Sequence, residues 1–181
     1  MTGLEYGITT IDNYMERIDI QSAPVSVGFA ALTIAHGYVG QKEVPAGSNA
    51  GEFVEGCLKL VGLGKGYSWC QAFVYRCFHE AALQIGRANP VPKTAGVLKC
   101  WQSAPAPLKI NKKKTPIAGS QFIMDYGKGL GHTGIVVSVE GDTFTTIEGN
   151  TDANGSRTGG MVCLRSRRFD DPKLVGFIQY V

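Results

Sequence analysis

A change in hydrophobic periodicity near Ile117 constrains the fold of this chain more than any other feature. Before Ile117, apolar residues recur at the i, i+3, i+4 spacing of amphipathic helices; after it, short apolar runs are separated by turn residues. Helices come first and strands follow, without regular alternation. This order predicts an α+β fold in which N-terminal helices pack on a mostly antiparallel sheet.

The first part of the chain contains four predicted helices. One is opened by Pro24 and ends between Gly37 and Gly40, and the others cover residues 53–62, 69–83 and 94–102. In the third, Ser68 is a suitable N-cap. Five strands are predicted at residues 120–126, 132–139, 142–148, 160–166 and 173–181. The basic stretch 109–114 between the two parts is interpreted as a solvated loop.

Length and composition favour one globular domain. The 181 residues are 44% hydrophobic and 18% charged, which excludes disordered and fibrous classes. A net charge of +3 gives little argument for nucleic-acid binding. The longest apolar stretch, residues 23–39, is shorter than the ~20 residues of a membrane helix. We assign residues 1–22 to an N-terminal extension and residues 23–181 to the domain, and we expect a monomer.

The cysteine pattern separates one thiol from the rest. The chain has five cysteines and no C-x-x-C pair, which argues against a complete disulfide framework and against a zinc ribbon. Four of them lie within apolar stripes or strands and are expected to be core residues: Cys57, Cys77, Cys100 and Cys163. Cys70 instead falls in the first turn of the third helix, where free backbone N–H groups favour a thiolate and can hold an oxyanion.

His132 is the best candidate for the base that such a thiolate needs. His36 and His79 lie on predicted helices, and His79 is more than two turns from Cys70 along the same helix. His132 begins a strand immediately after the glycine-rich segment KGLG, where its side chain can face a cleft. The sequence therefore predicts a Cys70–His132 pair in which the imidazole is the general base.

The hairpin after His132 allows a geometric test of a third catalytic role. A three-residue turn at residues 140–142 places Asn150 opposite His132 and Glu148 diagonally on the same face. A two-residue turn at residues 141–142 turns both side chains to the other face. The catalytic hypothesis therefore requires the three-residue register. Glu148 is then the favoured partner that orients the imidazole, with Asn150 close behind.

These residues lie in segments that resemble a known family. The segment YSWCQAFVYRCFHEAAL and the later segment GLGHTGIVVSVEGDTFTTIEGNTD resemble the CHAP family, the cysteine, histidine-dependent amidohydrolases and peptidases of the papain-like cell-wall hydrolase superfamily. The resemblance covers roughly residues 30–181 and includes GYVGQKEVPAGSNAG and PIAGSQFIM. In the latter, Ser120 stands where the family usually has aspartate.

The resemblance implies Cys70 as nucleophile, His132 as base and acid, and Glu148 with Asn150 as the orienting pair. It also implies a substrate, the amide bonds of peptidoglycan, cut either at the N-acetylmuramoyl-L-alanine link or within the peptides. Further residues would then line or support the substrate groove, although each also fits a core or capping position: Tyr67, Trp69, Asn49 and Glu43.

The function expected from these observations is that of a thiol-dependent peptidoglycan hydrolase without metal or other cofactor. Two alternatives remain open: a thiol amidase or acyltransferase that acts on a substrate outside the wall, and a catalytically silent binding module of the same fold. The N-terminus has no signal-peptide pattern, so we expect synthesis in the cytoplasm and action in the periplasm or on the cell wall. This setting fits a phage lysin or a secreted antibacterial effector, and an effector would have an immunity protein as partner.

Overall fold

The structure, a computed structural model, describes residues 26–152 and 159–181. Within these residues the helices are Val27–Gly37 (α1), Glu52–Leu60 (α2), Cys70–Gln84 (α3) and Val97–Ser103 (α4). A short 3-10 helix, Ala106–Leu108, leads into the strands, which are Lys109–Asn111 (β1), Gln121–Gly127 (β2), Leu130–Glu140 (β3), Thr143–Thr151 (β4), Met161–Arg168 (β5) and Leu174–Ile178 (β6).

The six strands form one sheet in the order β1-β6-β2-β3-β4-β5, and every neighbouring pair is antiparallel. The predicted α+β fold, with N-terminal helices followed by an antiparallel sheet, is confirmed. The sheet has one strand more than predicted, because β1 lies within the basic stretch that was expected to be a loop. β1 is short, lies at one edge of the sheet and pairs, among the described strands, with β6 alone. The predicted start of the first helix at Pro24 and the extension 1–22 lie outside the described residues.

The core has two apolar layers, one on each face of the sheet. Helix α3 lies at the centre of the first layer, where it packs against α1 and α2 on one side and against β3 and β4 on the other. Large buried side chains such as Phe73, Phe78 and Ile135 fill this layer. The second layer covers the opposite face of the sheet and is built around Phe122 and Phe144. The candidate site lies where the N-terminus of α3 meets the sheet.

Three of the four cysteines that are predicted to be core residues are buried, and Cys70 is buried as well, at 4% exposed. Cys57, Cys77 and Cys100 are fully buried, Cys163 is half-buried, and all five cysteines are free thiols. In the part of the chain that the structure describes, we find no helix with both the length and the apolar character needed to cross a membrane.

Candidate active site

Cys70 is the first residue of α3, and the N-cap position before it is occupied by Trp69. The prediction that Ser68 caps this helix is wrong, because the helix begins one residue too late for Ser68 to be the N-cap. No side chain caps the helix, and its first backbone hydrogen bond runs from the Phe73 N–H to the Trp69 carbonyl. The N–H groups of the first turn therefore remain available next to the Cys70 thiol.

The β3–β4 hairpin turns on two residues, so the predicted three-residue turn is wrong. Glu140 pairs with Thr143, which leaves Gly141 and Asp142 as the turn. However, a β-bulge between Val136 and Ser138 shifts the pairing by one residue. Beyond the bulge, the strands run in the register that the catalytic hypothesis requires. The bulge thus supplies the one-residue shift in register that the longer turn was expected to supply.

In this register His132 and Glu148 form a direct contact. The Nε2 atom of His132 lies 2.7 Å from Oε2 of Glu148, and both side chains are 0% exposed. Gly134 makes the contact possible, because a Cβ atom at this position would lie 2.8 Å from Cγ of Glu148 and 2.5 Å from the carbonyl oxygen of Ile147. The absence of a side chain at Gly134 leaves the space through which Glu148 reaches the imidazole.

Two further residues hold the Glu148 carboxylate, and sequence reasoning missed both. Arg167 on β5 donates from Nε to Oε1 at 2.7 Å and from Nη2 to Oε2 at 2.6 Å. Thr146 donates its hydroxyl proton to Oε1 at 2.6 Å. A bidentate arginine and a hydroxyl thus satisfy the buried carboxylate together with His132. The polar alternation of β5 is typical of a solvent-facing strand edge, and it contains no signal that Arg167 points inward.

Electrostatics favour the charged forms of both buried groups. Burial disfavours the imidazolium of His132, but its interactions with Cys70 and Glu148 outweigh burial and raise the pKa of His132 from 6.5 to about 9. Burial also disfavours the carboxylate of Glu148, yet the hydrogen bonds from His132 and Arg167 lower its pKa from 4.5 to about 2. At neutral pH the arrangement therefore stabilises the imidazolium of His132 beside the carboxylate of Glu148.

The second ring nitrogen of His132 is left for Cys70. Because Nε2 contacts the Glu148 carboxylate, Nε2 carries a proton and Nδ1 is the nitrogen that can exchange one. Nδ1 is buried and makes no hydrogen bond of ordinary geometry with any residue in 26–152 or 159–181. Cys70 is close enough to contribute to the raised pKa of the imidazole. The arrangement can therefore transfer a proton between the thiol and Nδ1.

Asn150 lies near the end of β4, two positions beyond Glu148, in a strained backbone conformation. Its φ of 57° is in the left-handed region, which asparagine tolerates better than most residues. The side chain is buried, and Oδ1 has no hydrogen-bond partner within the described ranges. An amide held this way can accept a hydrogen bond that forms only when a ligand or the imidazole moves.

The four residues predicted to line or support a groove occupy different environments. Tyr67 is 56% exposed just before α3, whereas Trp69 is 0% exposed and donates from Nε1 to Oε1 of Glu43 at 2.9 Å. Glu43 is itself buried, and Asn49 is half-buried with its carbonyl oxygen bound to the N–H of Gly66. In this conformation Tyr67 is the one of the four with an open face for substrate.

Comparison with known protein families gives a match over the part of the chain that contains the candidate site. Residues 62–150 match the family model of the CHAP domain, and Cys70, His132, Glu148 and Asn150 all lie within the match. No curated protein matches the chain in sequence.

Two solved structures have a similar fold. The wild type endolysin LysIME-EF1 superimposes with a TM-score of 0.55 at 17% identity, over 87% of this chain and 65% of that one. The structure of Ly7917 gives a TM-score of 0.50 at 18% identity, over 86% of this chain and 62% of that one. The chain thus spans less than two thirds of the length of either structure, and at these identities the likeness concerns the fold. The identification of a CHAP domain in this chain therefore rests on the family match over residues 62–150.

Proposed function

We propose that this chain is a peptidoglycan hydrolase that cleaves amide bonds with Cys70 as nucleophile. The observation that carries the proposal is the position of Cys70, at the uncapped start of α3 and beside an imidazole whose far nitrogen is held by Glu148. The match of residues 62–150 to the CHAP domain family and a fold similar to that of an endolysin support the same conclusion.

In the first step the thiolate of Cys70 attacks the carbonyl carbon of the amide. The carbonyl electron pair moves to oxygen, and the N–H groups in the first turn of α3 are placed to stabilise this oxyanion. His132 then donates the proton on Nδ1 to the departing amine, so the C–N bond breaks and a thioester with Cys70 remains.

In the second step the neutral imidazole removes a proton from water. The hydroxide attacks the thioester carbonyl, the carboxylic acid departs and the Cys70 thiolate is restored with the imidazolium. Glu148 stays ionised throughout and keeps Nε2 of His132 protonated, and the buried Asn150 is assigned to help orient the ring. The net reaction consumes one water and cleaves one amide.

The substrate is an amide of the cell wall, either the N-acetylmuramoyl-L-alanine link or a bond within the peptides. Tyr67 offers an exposed aromatic face next to Cys70 on which a glycan or peptide segment can pack. The protein acts as a phage lysin, or as a secreted effector that an immunity protein neutralises.

Digestion of purified sacculi tests the proposal. We expect the wild-type chain to release muropeptides, identified by mass spectrometry, and we expect Cys70→Ala and His132→Gln to release none. His79→Gln is the matched control, because His79 lies on α3 away from the contacts described above, and it should retain full activity. Unchanged digestion by Cys70→Ala would overturn the mechanism, and the masses of the fragments identify which amide is cut.

The same samples separate the alternative functions. A thiol amidase or acyltransferase with another substrate would leave sacculi intact while iodoacetamide still labels Cys70 rapidly near neutral pH. A silent binding module would leave sacculi intact and Cys70 slow to react.

A further inference from the structure

A buried polar network lies between α3 and the sheet, on the face that is otherwise apolar. It consists of five buried residues from four elements and the C-terminal segment, namely Gln71, Cys100, Gln121, Thr133 and Tyr180. Buried polar side chains cost free energy unless they are hydrogen bonded, and an apolar side chain at each position would avoid this cost. The network is therefore a specific feature of this interface.

The side-chain amide of Gln121 lies at the centre of the network. Its Nε2 donates one hydrogen to Oε1 of Gln71 at 2.8 Å and the other to Oγ1 of Thr133 at 2.9 Å. Thr133 uses its own proton to bond the carbonyl oxygen of Phe122 at 2.6 Å, so its oxygen is free to accept. Oε1 of Gln121 accepts from the Tyr180 hydroxyl at 3.3 Å. The two short bonds from Nε2 determine the orientation of the amide, whereas the longer bond from Tyr180 reaches only its oxygen.

The two acceptors of this amide are sequence neighbours of the two reacting residues. Gln71 follows Cys70 at the start of α3, and Thr133 follows His132 on β3. One planar NH₂ group thus connects the turn that carries the thiol with the strand that carries the imidazole. The surrounding contacts between α3 and the sheet are apolar and non-directional, whereas hydrogen bonds define distance and angle.

We infer that Gln121 is a positioning residue that sets the separation of Cys70 and His132 through Gln71 and Thr133. The roles of Cys70 and His132 rest on the proposed function. Thiol and imidazole must be held to a fraction of an ångström for proton transfer, so loss of the link should lower the rate more than it lowers substrate binding.

The reactivity of Cys70 towards iodoacetamide tests this inference without any cell-wall substrate. The rate is followed against pH in the full chain, by mass spectrometry of the peptide that contains Cys70, so the other four thiols do not interfere. In Gln121→Glu, burial favours the neutral carboxyl, which offers one donor where the amide offers two. We expect it to move the pH midpoint of alkylation by about one unit and to lower kcat on cell walls roughly tenfold, with a smaller change in KM.

A pair of substitutions at Thr133 gives an independent answer if Gln121→Glu does not fold. Thr133→Val removes the acceptor and should shift the pH profile of alkylation. Thr133→Ser keeps the hydroxyl and should have the wild-type profile. Tyr180→Phe is the matched control, because it removes a bond on the other side of the same amide. We expect it to lower thermal stability and leave the Cys70 profile unchanged.

The inference is overturned if folded Gln121→Glu keeps the wild-type alkylation profile, if Thr133→Val and Thr133→Ser behave alike, or if Tyr180→Phe shifts the profile as much as Gln121→Glu does. A wild-type protein that does not digest sacculi, but whose Cys70 profile still responds to Gln121→Glu, would contradict the proposed function and support the positioning role. The two failures are therefore distinguishable.

Discussion

Arg167 donates a hydrogen bond to each oxygen of the Glu148 carboxylate, at 2.7 and 2.6 Å, and its side chain is only 11% exposed. The guanidinium thus neutralises a carboxylate that is buried on the same side as His132. Without it, the charge on Glu148 would have the imidazolium as its main compensation. Arg167 therefore helps to keep Glu148 ionised and aimed at Nε2.

Arg167→Met should impair both stability and catalysis. Removing one partner of a buried ion pair leaves the other charge uncompensated, and the expected loss is roughly 3 kcal/mol in the free energy of unfolding. Arg167→Lys keeps the charge but not the two-pronged geometry, so it should fold better and still have reduced kcat. Denaturant unfolding and sacculus digestion measure the two effects. Arg168→Met is the control: Arg168 is exposed and its ion pairs with Asp142 and Asp170 lie at the surface, so behaviour close to wild type is expected.

Gly134→Ala should separate Glu148 from His132. The new methyl group would overlap Cγ of Glu148 and the carbonyl oxygen of Ile147, so the side chain or the strand must move. We expect a loss of about 1–3 kcal/mol in stability and a larger relative loss of activity than the loss of folded protein explains. Gly64→Ala provides the comparison, because no atom lies within 4 Å of a Cβ at that position. Equal activity of the two folded variants would contradict the role given to Gly134.

The pH dependence of stability should show the His132–Glu148 pair directly. The pKa of His132 is raised from 6.5 to about 9, so its contribution is complete below pH 6.5 and is lost as the pH rises through 9. The pKa of Glu148 is lowered from 4.5 to about 2, so its contribution is present above pH 4.5 and is lost as the pH falls towards 2.

We therefore expect the contribution of this pair to the free energy of unfolding to be highest between pH 4.5 and 6.5. Denaturant titrations at several pH values measure it in wild type and in His132→Gln. The advantage of wild type over the variant should shrink on the alkaline side. A constant difference from pH 6 to pH 10 would show that the imidazolium is not specifically stabilised.

Substitutions at Tyr67 and Trp69 should affect different properties, substrate binding for Tyr67 and stability for Trp69. Tyr67→Ala removes an exposed ring, so we expect weaker binding of cell-wall fragments with little change in stability. Trp69→Phe removes the donor to Oε1 of Glu43 and leaves a buried carboxylate with fewer partners, at a cost of about 1–3 kcal/mol. Binding and thermal unfolding are measured on both variants. A stable Trp69→Phe with impaired binding would instead support a direct contact with substrate.

The helices and most strands could be predicted because their apolar residues follow one period for several turns or pairs. β1 could not, because its lysines and asparagine lack the alternation of a half-buried strand, and its pairing comes from the distant β6. The N-cap of α3 could not be predicted for a related reason. Trp69 is buried and donates a hydrogen bond to Glu43, and the helix starts at the next residue, Cys70. Residue propensities do not predict a tertiary contact of this kind.

The site could be predicted where the chemistry is local and could not where it depends on long-range packing. Cys70 and His132 stand out by their positions at the start of a helix and a strand, and the register argument identified the face on which Glu148 must lie. It assigned that register to the turn, whereas the structure places the extra residue in a bulge at Val137. Arg167 and Gln121 come from strands whose pattern contains no sign of either contact.

The bulge at Val137 also makes the strand pairing at the tip of the hairpin independent of the pairing at its other end. The segment from Ser138 to Thr145 is paired in one register, and the segment that contains His132 and Glu148 is paired in another. We therefore expect the bulge to accommodate a change of length at Gly141, so that the pairing around His132 stays the same. The tip of the hairpin is accordingly a natural insertion point, where an affinity tag or a fluorescent reporter can be added to this protein without breaking the contact between His132 and Glu148.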